Sequence, residues 1–243
     1  MFPKPRRALA RLASSKALSP SVRGLELAIL DDEPFVFVAG QYIDLFVPVE
    51  DGEPIKRSYS IASAPDLAGE RIELAVTLVE GGPVSTAIHG WQLGFELEVL
   101  GPSGLFTRLK DPTDVPLVFV GTGTGLSPLR SMILNELRER PEGPPVTLLF
   151  GARTEADILW RDELEALAKA SPRFRYEITL SRASEAWSGR AGYVQAHLRD
   201  VAQSAEGTHV YICGLTKMVT EVRELLKNEL GFDRKQVHSE RYD

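Results

Sequence analysis

The sequence predicts two domains of different classes, an antiparallel β-barrel domain followed by an α/β domain with a parallel sheet. Up to residue 110 the apolar segments are short, turn residues separate them, and no long helical pattern occurs. Beyond residue 111, continuous apolar strands alternate with amphipathic helices. The chain of 243 residues is long enough for two modest domains. We therefore place the first domain at residues 1–110 and the second at residues 111–243.

Six predicted strands without a long helix between them make a closed antiparallel barrel the expected architecture of the first domain. They are Arg23–Leu30, Phe35–Ala39, Gln41–Val47, Ile55–Ile61, Arg71–Val79 and Glu96–Leu100. Upstream, the first 24 residues hold six basic residues and no acidic one. Two interpretations of that segment stay open: a basic docking edge for an acidic partner, or a solvated, partly frayed terminus.

The second domain combines four predicted strands with three predicted helices. The strands are Pro116–Val120, Val146–Phe150, Phe174–Leu180 and His209–Cys213. Helical periodicity covers Pro128–Arg140, Asp157–Ala170 and residues 215–226. This alternation predicts a parallel sheet with helices on both faces.

A glycine-rich loop joins the first of these strands to the first helix. It reads Gly121-Thr122-Gly123-Thr124-Gly125, and Pro128 follows in the first helical turn, where no N–H is needed. Glycines let a phosphate approach the backbone, and a helix N-terminus directs its N–H groups and positive dipole end to the same place. The spacing differs from the Rossmann fingerprint and from the P-loop. The loop therefore predicts phosphate binding of another type, with a plain tight turn as the alternative.

Composition excludes several classes of protein. Hydrophobic residues at 43% and charged residues at 26% exclude wholesale disorder, and no apolar run is long enough to span a membrane. The net charge of −6 disfavours nucleic acid as a partner. A single cysteine, Cys213, excludes an internal disulfide and an iron–sulfur cluster of the chain's own. Without a secretory signal we expect a cytoplasmic protein, and the four histidines show no metal-ligand spacing, so no metal site is expected.

Two segments of the first domain carry groups that suit a flavin nucleotide. In Arg57-Ser58-Tyr59-Ser60, on a predicted strand, Arg57 and Tyr59 share one face. A guanidinium can clamp a diphosphate, a tyrosine offers a flat surface to a ring system, and a hydroxyl can bond a ring nitrogen. Further on, Gly81-Gly82-Pro83-Val84-Ser85-Thr86 opens a probable short helix, a second anion-binding turn. Ordinary barrel surface is the alternative for each piece.

Taken together and in order, these motifs resemble the ferredoxin–NADP(+) reductase superfamily. Arg57–Ser63 resembles its flavin motif R-x-Y-S-[IVL]-A-S, and Gly121–Pro128 with the following Leu129-Arg130-Ser131 resembles its nicotinamide-nucleotide loop. Further family landmarks are Gly40-Gln41-Tyr42, Gly101-Pro102-Ser103-Gly104-Leu105-Phe106 and Tyr211-Ile212-Cys213-Gly214-Leu215. The likeness spans roughly residues 8–243. It implies a barrel domain that binds FAD and an α/β domain that binds NAD(P).

The resemblance also implies roles for single residues. Arg57 would bind the FAD pyrophosphate, Tyr59 would pack on the isoalloxazine, and Ser60 would bond near flavin N5 and aid hydride transfer. Ser58 belongs to the same motif. Backbone and hydroxyl groups of four further residues would hold the diphosphate or ribityl chain, namely Gly82, Val84, Ser85 and Thr86.

For the second nucleotide, the resemblance favours NADPH, with NADH as the alternative. Ser181-Arg182 ends the third strand of the α/β domain, where a hydroxyl and a guanidinium suit a 2′-phosphate. Plant-type members have a matching Ser-Arg followed by Tyr-x-Gln, and here Tyr193-Val194-Gln195 follows. Gly189-Arg190-Ala191-Gly192 is more similar to the oxygenase-reductase branch, in which NADH is common.

The chain end and the cysteine complete the implied active site. Plant-type members have a cysteine beside the nicotinamide at the position of Cys213, although plain core is the alternative for a buried cysteine. They also end in Glu-x-Tyr, where the tyrosine stacks on the flavin and the glutamate takes part in exchange with the acceptor side. Glu240 and Tyr242 match that spacing, with one extra residue, Asp243, and a frayed tail as the alternative.

The expected function is hydride transfer from NADPH to FAD where the two domains meet, with electrons passing to ferredoxin, flavodoxin or a separate iron–sulfur protein, or the reverse. One alternative is an NAD(P)H:flavin reductase or the reductase component of an oxygenase. Another is an electron-transfer subunit of a larger complex, although such subunits usually carry a cysteine cluster. A nucleotide-binding regulator without chemistry is a third, disfavoured by Ser60, Cys213 and Glu240 occurring together.

Overall fold

The computed structural model describes residues 2–49, 52–65, 69–112 and 114–242, and the chain divides into two compact units. The first unit comprises residues 1–110 together with 130–135, and the second comprises residues 111–129 together with 136–243. Within the described residues, no helix has both the length and the apolar character needed to cross a membrane.

The first unit is a six-stranded antiparallel sheet with one helix. Its elements are β1 (Arg6–Ser19), β2 (Val22–Ile29), β3 (Tyr42–Val47), β4 (Ile55–Ser60), β5 (Arg71–Thr77), α1 (Pro83–Gly90) and β6 (Glu96–Ser103). The spatial order is β4-β3-β6-β1-β2-β5. The Ala62 amide, just after β4, donates to the Glu73 carbonyl on β5 at 2.7 Å. Because this bond joins the two edge strands, the sheet curls into a barrel around its apolar core.

The longest strand, β1, comes from the segment that the sequence left as a docking edge or a frayed terminus. Ala8, Ala10 and Leu12 alternate with exposed neighbours and are at most 5% exposed, so their period of two builds one wall of the core. The interpretation as a frayed terminus is therefore wrong for Arg6–Ser19. Three of the basic side chains pair with carboxylates of neighbouring segments, as Arg6–Asp31, Arg7–Glu98 and Arg11–Glu96. These ion pairs engage half of the six basic side chains of that segment, which weakens the case for a basic docking edge.

One predicted strand of the first domain does not form. Residues 35–38 pair with no strand among the residues that the structure describes, although Phe35 and Phe37 are 1% and 4% exposed and lie in the core. The Gln41 side-chain oxygen accepts a bond from the Val38 amide at 2.9 Å, which holds the segment in an irregular conformation. Alternation of apolar residues predicted the burial correctly but could not supply a partner strand.

The second unit is a six-stranded parallel sheet. Its elements are β7 (Leu117–Thr122), α2 (Leu126–Glu139), β8 (Val146–Ala152), α3 (Arg161–Ala170), β9 (Phe174–Leu180), β10 (Arg190–Ala191), α4 (Leu198–Val201), β11 (His209–Leu215), α5 (Thr216–Asn228) and β12 (Val237–Tyr242). The order is β10-β9-β8-β7-β11-β12, with every pair parallel. The predicted fold class, an antiparallel barrel followed by an α/β domain with a parallel sheet, is confirmed.

Alternating side chains of β7 explain how the sheet is covered. Val118 and Val120 pack in one cluster with Val222 of α5, whereas Phe119 points to the opposite face and stacks on Tyr211 at 5.4 Å. Since all strands run the same way, their carboxyl ends lie along one edge of the sheet, and ligands of open α/β sheets bind at that edge. The last strand, β12, lies along β11 from end to end, so a frayed tail is wrong for residues 237–242.

Candidate functional site

The flavin motif of the first unit lies on β4. Arg57 is exposed and donates to the Lys56 carbonyl at 2.9 Å, while Tyr59 is half-buried against the core. Burial raises the pKa of the Tyr59 hydroxyl, and the positive charge of Arg57 opposes that rise only in part. The tyrosine is therefore a neutral ring with one face on the protein. Ser60 ends the strand and is 8% exposed.

The Ser58 side chain of this motif bonds to the neighbouring strand. Its hydroxyl donates to the Asp44 carboxylate on β3 at 2.6 Å, and Lys56 reaches the other oxygen of that carboxylate at 3.2 Å. Asp44 is 6% exposed, so its charge depends on these two donors. Ser58 thus fixes β4 to β3 and holds the strand that presents Arg57 and Tyr59.

The glycine pair before α1 forms a tight turn into the helix. Gly81 has φ +71°, and a Cβ on Gly82 would lie 2.9 Å from the Ser85 hydroxyl and 3.1 Å from the Val79 carbonyl oxygen. The Ser85 hydroxyl bonds the Val79 amide and carbonyl and the Gly82 carbonyl, so it stabilises the turn. The Thr86 amide closes the first helical turn on the Gly82 carbonyl.

These residues fit FAD. No side chain caps the N-terminus of α1, and Pro83 has no N–H, so the amides of Val84 and Ser85 are the donors that the first turn offers to an anion. Val84 and Ser85 are buried and Thr86 is exposed, so Thr86 is the hydroxyl that faces solvent there. An uncapped helix end, an exposed guanidinium and a half-buried aromatic ring are the groups that a diphosphate and a flat ring require.

The glycine loop of the second unit divides its glycines between packing and binding. A Cβ on Gly125 would lie 2.4 Å from the Cys213 carbonyl oxygen, and one on Gly121 would lie 2.8 Å from Leu129. These two positions therefore need glycine to let the loop close on β11 and α2. Gly123 has φ +54°, is exposed, and has nothing within 4 Å of its would-be Cβ. The open middle of the loop, with Thr122 and Thr124 beside it, is left for a ligand.

An unpartnered hydroxyl marks the start of α2. Ser127 is 2% exposed, and its oxygen has no hydrogen-bond partner among the described residues. A buried hydroxyl normally finds a partner. Here it lies in the first turn of a helix without a side-chain cap, followed by Pro128. Because the Ser127 oxygen itself is enclosed, the N–H groups of the glycine loop and of the uncapped first turn of α2 are the ones that suit the diphosphate of a dinucleotide.

The end of β9 brings two guanidinium groups to neighbouring strand ends. The Ser181 amide donates to the Ala152 carbonyl at 3.0 Å, and the Arg182 amide donates to the Arg153 carbonyl at 2.8 Å. Arg153, which the sequence analysis did not single out, thus lies beside Arg182 at the carboxyl edge. Both are exposed at that edge, where two guanidinium groups and a serine hydroxyl suit a phosphate monoester.

The Tyr-x-Gln segment follows β10. Tyr193 is 71% exposed, so its ring is available to a ligand. The Gln195 side chain instead donates to a carboxylate oxygen of Glu221 on α5 at 2.5 Å. Tyr193 therefore presents a free ring face, whereas Gln195 anchors its segment to the helix.

The chain end meets the cysteine across β11 and β12. Cys213 is opposite Glu240, and Leu215 is opposite Tyr242. A hydrogen bond joins the side chains of Tyr242 and Cys213. Burial raises the pKa of the Cys213 thiol far above its ordinary value, and the negative charge of Glu240 raises it further. Cys213 is therefore a protonated thiol. Asp243, the extra residue after this match, lies outside the described residues.

Sequence reasoning did not single out Arg153 or Ser127, and it included Gly214 in a family landmark without giving it a role. Gly214 has φ +150°, and a Cβ there would lie 2.5 Å from the Thr122 hydroxyl, so it lets β11 approach the glycine loop. The sequence signal for Gly214 was its place after an apolar strand. Arg153 and Ser127 had no local signal, because their neighbours become known only when strand order is known.

Two family models match the chain. An oxidoreductase FAD-binding domain matches residues 9–107, and an oxidoreductase NAD-binding domain matches residues 119–224. Ferredoxin–NADP reductase B of Sorangium cellulosum is 52% identical over 241 residues, which cover 96% of this chain and 97% of that protein. The phenol hydroxylase P5 protein of Acinetobacter pittii is 36% identical over 233 residues, covering 93% of this chain. The chain spans 63% of the length of that second relative.

Solved structures agree with this result. The Amycolatopsis cytochrome P450 reductase GcoB superposes with a TM-score of 0.89 at 28% identity, covering 99% of this chain and 71% of that one. A ferredoxin–NADP+ reductase from Neisseria gonorrhoeae with bound FAD and NADP superposes with a TM-score of 0.82 at 25% identity, covering 97% and 98%. The expected family, its enzymatic nature and its FAD and NAD(P) domains are confirmed. The chain belongs to the ferredoxin–NADP reductase superfamily of flavoprotein oxidoreductases.

Proposed function

We propose that this protein oxidises NADPH with FAD and passes the electrons to a ferredoxin- or flavodoxin-type acceptor, or runs the same reaction in reverse. The observation that carries the proposal is the carboxyl edge of the parallel sheet. There the open glycine loop, the Arg153–Arg182 pair and the Cys213–Glu240 pairing occur on neighbouring strands. The ferredoxin–NADP reductase of Sorangium cellulosum, at 52% identity, supports this choice of acceptor and nucleotide.

The first domain, residues 1–110, is the proposed FAD domain. Arg57 binds the diphosphate from β4, the amides of Val84 and Ser85 bind it from α1, and Tyr59 supports the ring system. Bound FAD supplies the chemistry, because it accepts a hydride from a nicotinamide and can release the electrons one at a time. Ser60, at the end of the same strand, is proposed to donate a hydrogen bond to the flavin ring and fix its orientation.

The second domain, residues 111–243, is the proposed dinucleotide domain. The amides of Gly121–Gly125 and the first turn of α2 bind the diphosphate. Arg153 and Arg182, with the Ser181 hydroxyl, bind a 2′-phosphate, and that phosphate distinguishes NADPH from NADH. Tyr193 offers its exposed ring to the adenine.

Cys213 and Glu240 are the proposed catalytic residues of the second domain, and Tyr242 is a proposed cofactor-binding residue beside them. The Cys213 thiol stays protonated, so it presents a small neutral group to the nicotinamide. The Tyr242 hydrogen bond orients that thiol, and Glu240 is the group that can accept or deliver a proton. In this arrangement the protein contributes alignment and electrostatics.

A second candidate function is the NADH-dependent reductase of an oxygenase. The phenol hydroxylase P5 protein, at 36% identity, and the segment Gly189–Gly192 favour it. The two candidates differ in the nucleotide and in the acceptor, so one set of assays separates them.

The test compares kcat/KM for NADPH and NADH in the FAD-loaded enzyme, with ferredoxin, flavodoxin and free flavin as acceptors. Arg182→Ala and Arg153→Ala should each lower the NADPH/NADH ratio by about 10- to 100-fold, since a hydrogen bond to a charged group is worth about 1.5–3 kcal/mol. Arg175→Ala is the matched control, because it removes an exposed guanidinium near the start of the same strand. An unchanged ratio in both variants, or a wild-type preference for NADH, would refute NADPH as the substrate.

A further inference from the structure

Asp111, His209 and His238 lie together at one edge of the parallel sheet, although they are far apart in the sequence. One ligand atom from each lies within 4.8 Å of the other two. His209 begins β11, His238 is the second residue of β12, and Asp111 precedes β7. The cluster therefore occupies the amino edge of the sheet, where the strands start. The proposed dinucleotide site does not use these residues.

The distance between the two imidazole nitrogens is close to the distance between two nitrogen ligands of one metal ion. His209 Nδ1 and His238 Nε2 are 3.0 Å apart. Two nitrogens at about 2.0–2.1 Å from one ion, at a tetrahedral angle, are roughly 3.4 Å apart. To bind one ion, the two nitrogens must separate by about 0.4 Å, and the rings must also rotate so that both lone pairs point at the ion instead of along the hydrogen bond.

Asp111 supplies the third ligand and is itself held in place. The Tyr211 hydroxyl donates to Asp111 Oδ2 at 2.7 Å, and His238 Nδ1 lies 3.8 Å from the same oxygen. This leaves Oδ1 for an ion. The Tyr211 ring also stacks on the His238 ring, with centroids 4.5 Å apart. Support of ligands by such neighbours is typical of metal sites.

The burial of the three residues suits an ion with an open position. His209 is 8% exposed, whereas the side chains of His238 and Asp111 are 22% and 19% exposed. Solvent therefore reaches one side of the cluster, where water can complete the coordination. Two imidazoles and one carboxylate are a donor set for Zn²⁺ and related first-row ions, and are unsuited to Ca²⁺ or Mg²⁺.

We propose that Asp111, His209 and His238 form a Zn²⁺ site that fastens β12 and the segment before β7 to β11. His238 lies two residues before Glu240 on β12, so the ion fixes the strand that carries the proposed catalytic glutamate.

The test uses the untagged, FAD-loaded protein after treatment with a chelator. Titration calorimetry with Zn²⁺ should give one saturable equivalent, and Co²⁺ should give visible absorption bands of a tetrahedral or five-coordinate site. His209→Gln, His238→Gln and Asp111→Asn should each weaken binding by more than about tenfold, and Tyr211→Phe by about tenfold. His197→Gln is the control, because His197 bonds a backbone carbonyl elsewhere and should leave binding unchanged.

A second measurement needs no substitution and therefore does not depend on the folding of a variant. In the wild-type protein, imidazole NMR signals of His209 and His238 should change up to one equivalent of Zn²⁺, while those of His89 and His197 stay. No saturable binding would overturn the proposal. So would binding that all three ligand variants retain, or signal changes at His89 or His197 instead. Reductase activity with NADPH is measured separately, so failure of the metal site leaves the proposed function standing.

Discussion

Gly125→Ala tests the claim that the glycine loop closes directly on the end of β11. A Cβ at this position would lie 2.4 Å from the Cys213 carbonyl oxygen, 2.6 Å from its carbonyl carbon and 2.8 Å from the Gly214 Cα, whereas ordinary contact begins near 3.4 Å. All three atoms are backbone atoms of a buried strand, which cannot move aside as a flexible side chain can. The loop or the strand must therefore shift by about 1 Å.

Overpacking of this kind costs about 1–3 kcal/mol, and the value here should lie at the upper end because the obstacle is backbone. For a chain of this size that corresponds to a loss of roughly 4–10 °C in melting temperature. Gly123→Ala is the matched control. Its Cβ meets nothing within 4 Å, but φ of +54° strains an alanine by about 1–2 kcal/mol.

The assay is thermal unfolding of both variants, followed by NADPH titration monitored by the flavin spectrum. Gly125→Ala should be the less stable variant and should also bind NADPH more weakly, because the displaced loop no longer presents its amides. Gly123→Ala should keep most of its stability while its affinity for NADPH falls, because its methyl group occupies the space left for the diphosphate. Equal stability of Gly125→Ala and wild type would refute the packing argument.

Two further predictions concern single side chains. Arg57→Ala should weaken FAD binding by about 10- to 100-fold, measured as flavin fluorescence released on dilution, because a charge-assisted pair with the diphosphate is lost; Lys56→Ala, whose partner is Asp44, should retain FAD. A cysteine thiol in the unfolded chain ionises above its pKa of about 8.5, whereas burial keeps the Cys213 thiol of the folded protein protonated at the same pH. The free energy of unfolding should therefore fall above about pH 8.5 by up to about 1.4 kcal/mol per pH unit. In urea denaturation of Cys213→Ala, the free energy of unfolding should depend less steeply on pH. Identical profiles for the two proteins would contradict this linkage.

Much of the fold was predictable because it depends on short-range patterns. The short segment Ile55–Ser60 after a turn and the continuous apolar run over Leu117–Val120 are local features of a few consecutive residues, and both formed strands. The first half of Arg6–Ser19 alternates between buried and exposed residues, but small alanines and frequent arginines concealed this pattern in the sequence. Residues 35–38 show the opposite error, since apolar alternation there predicts burial without determining a strand partner.

The candidate site could be outlined from the sequence only where its residues are contiguous. The R-x-Y-S strand and the glycine loop are contiguous motifs, so the sequence named their residues in advance. It could not separate the glycines by role, because the obstacle to a side chain at Gly125 is the carbonyl of Cys213 on another strand. Nor could it assign the Ser58 hydroxyl to Asp44, a partner that is set by the register of β3 and β4.

The sequence by itself determined the two domain classes, the glycine turns and the residue types that suit a flavin and a dinucleotide, because period and composition act locally. Strand order and register decided the rest. They set Glu240 opposite Cys213, Arg182 beside Arg153, and Asp111 next to His209 and His238. Such neighbours come from long-range pairing of the backbone, which carries no signature in the residues around each one.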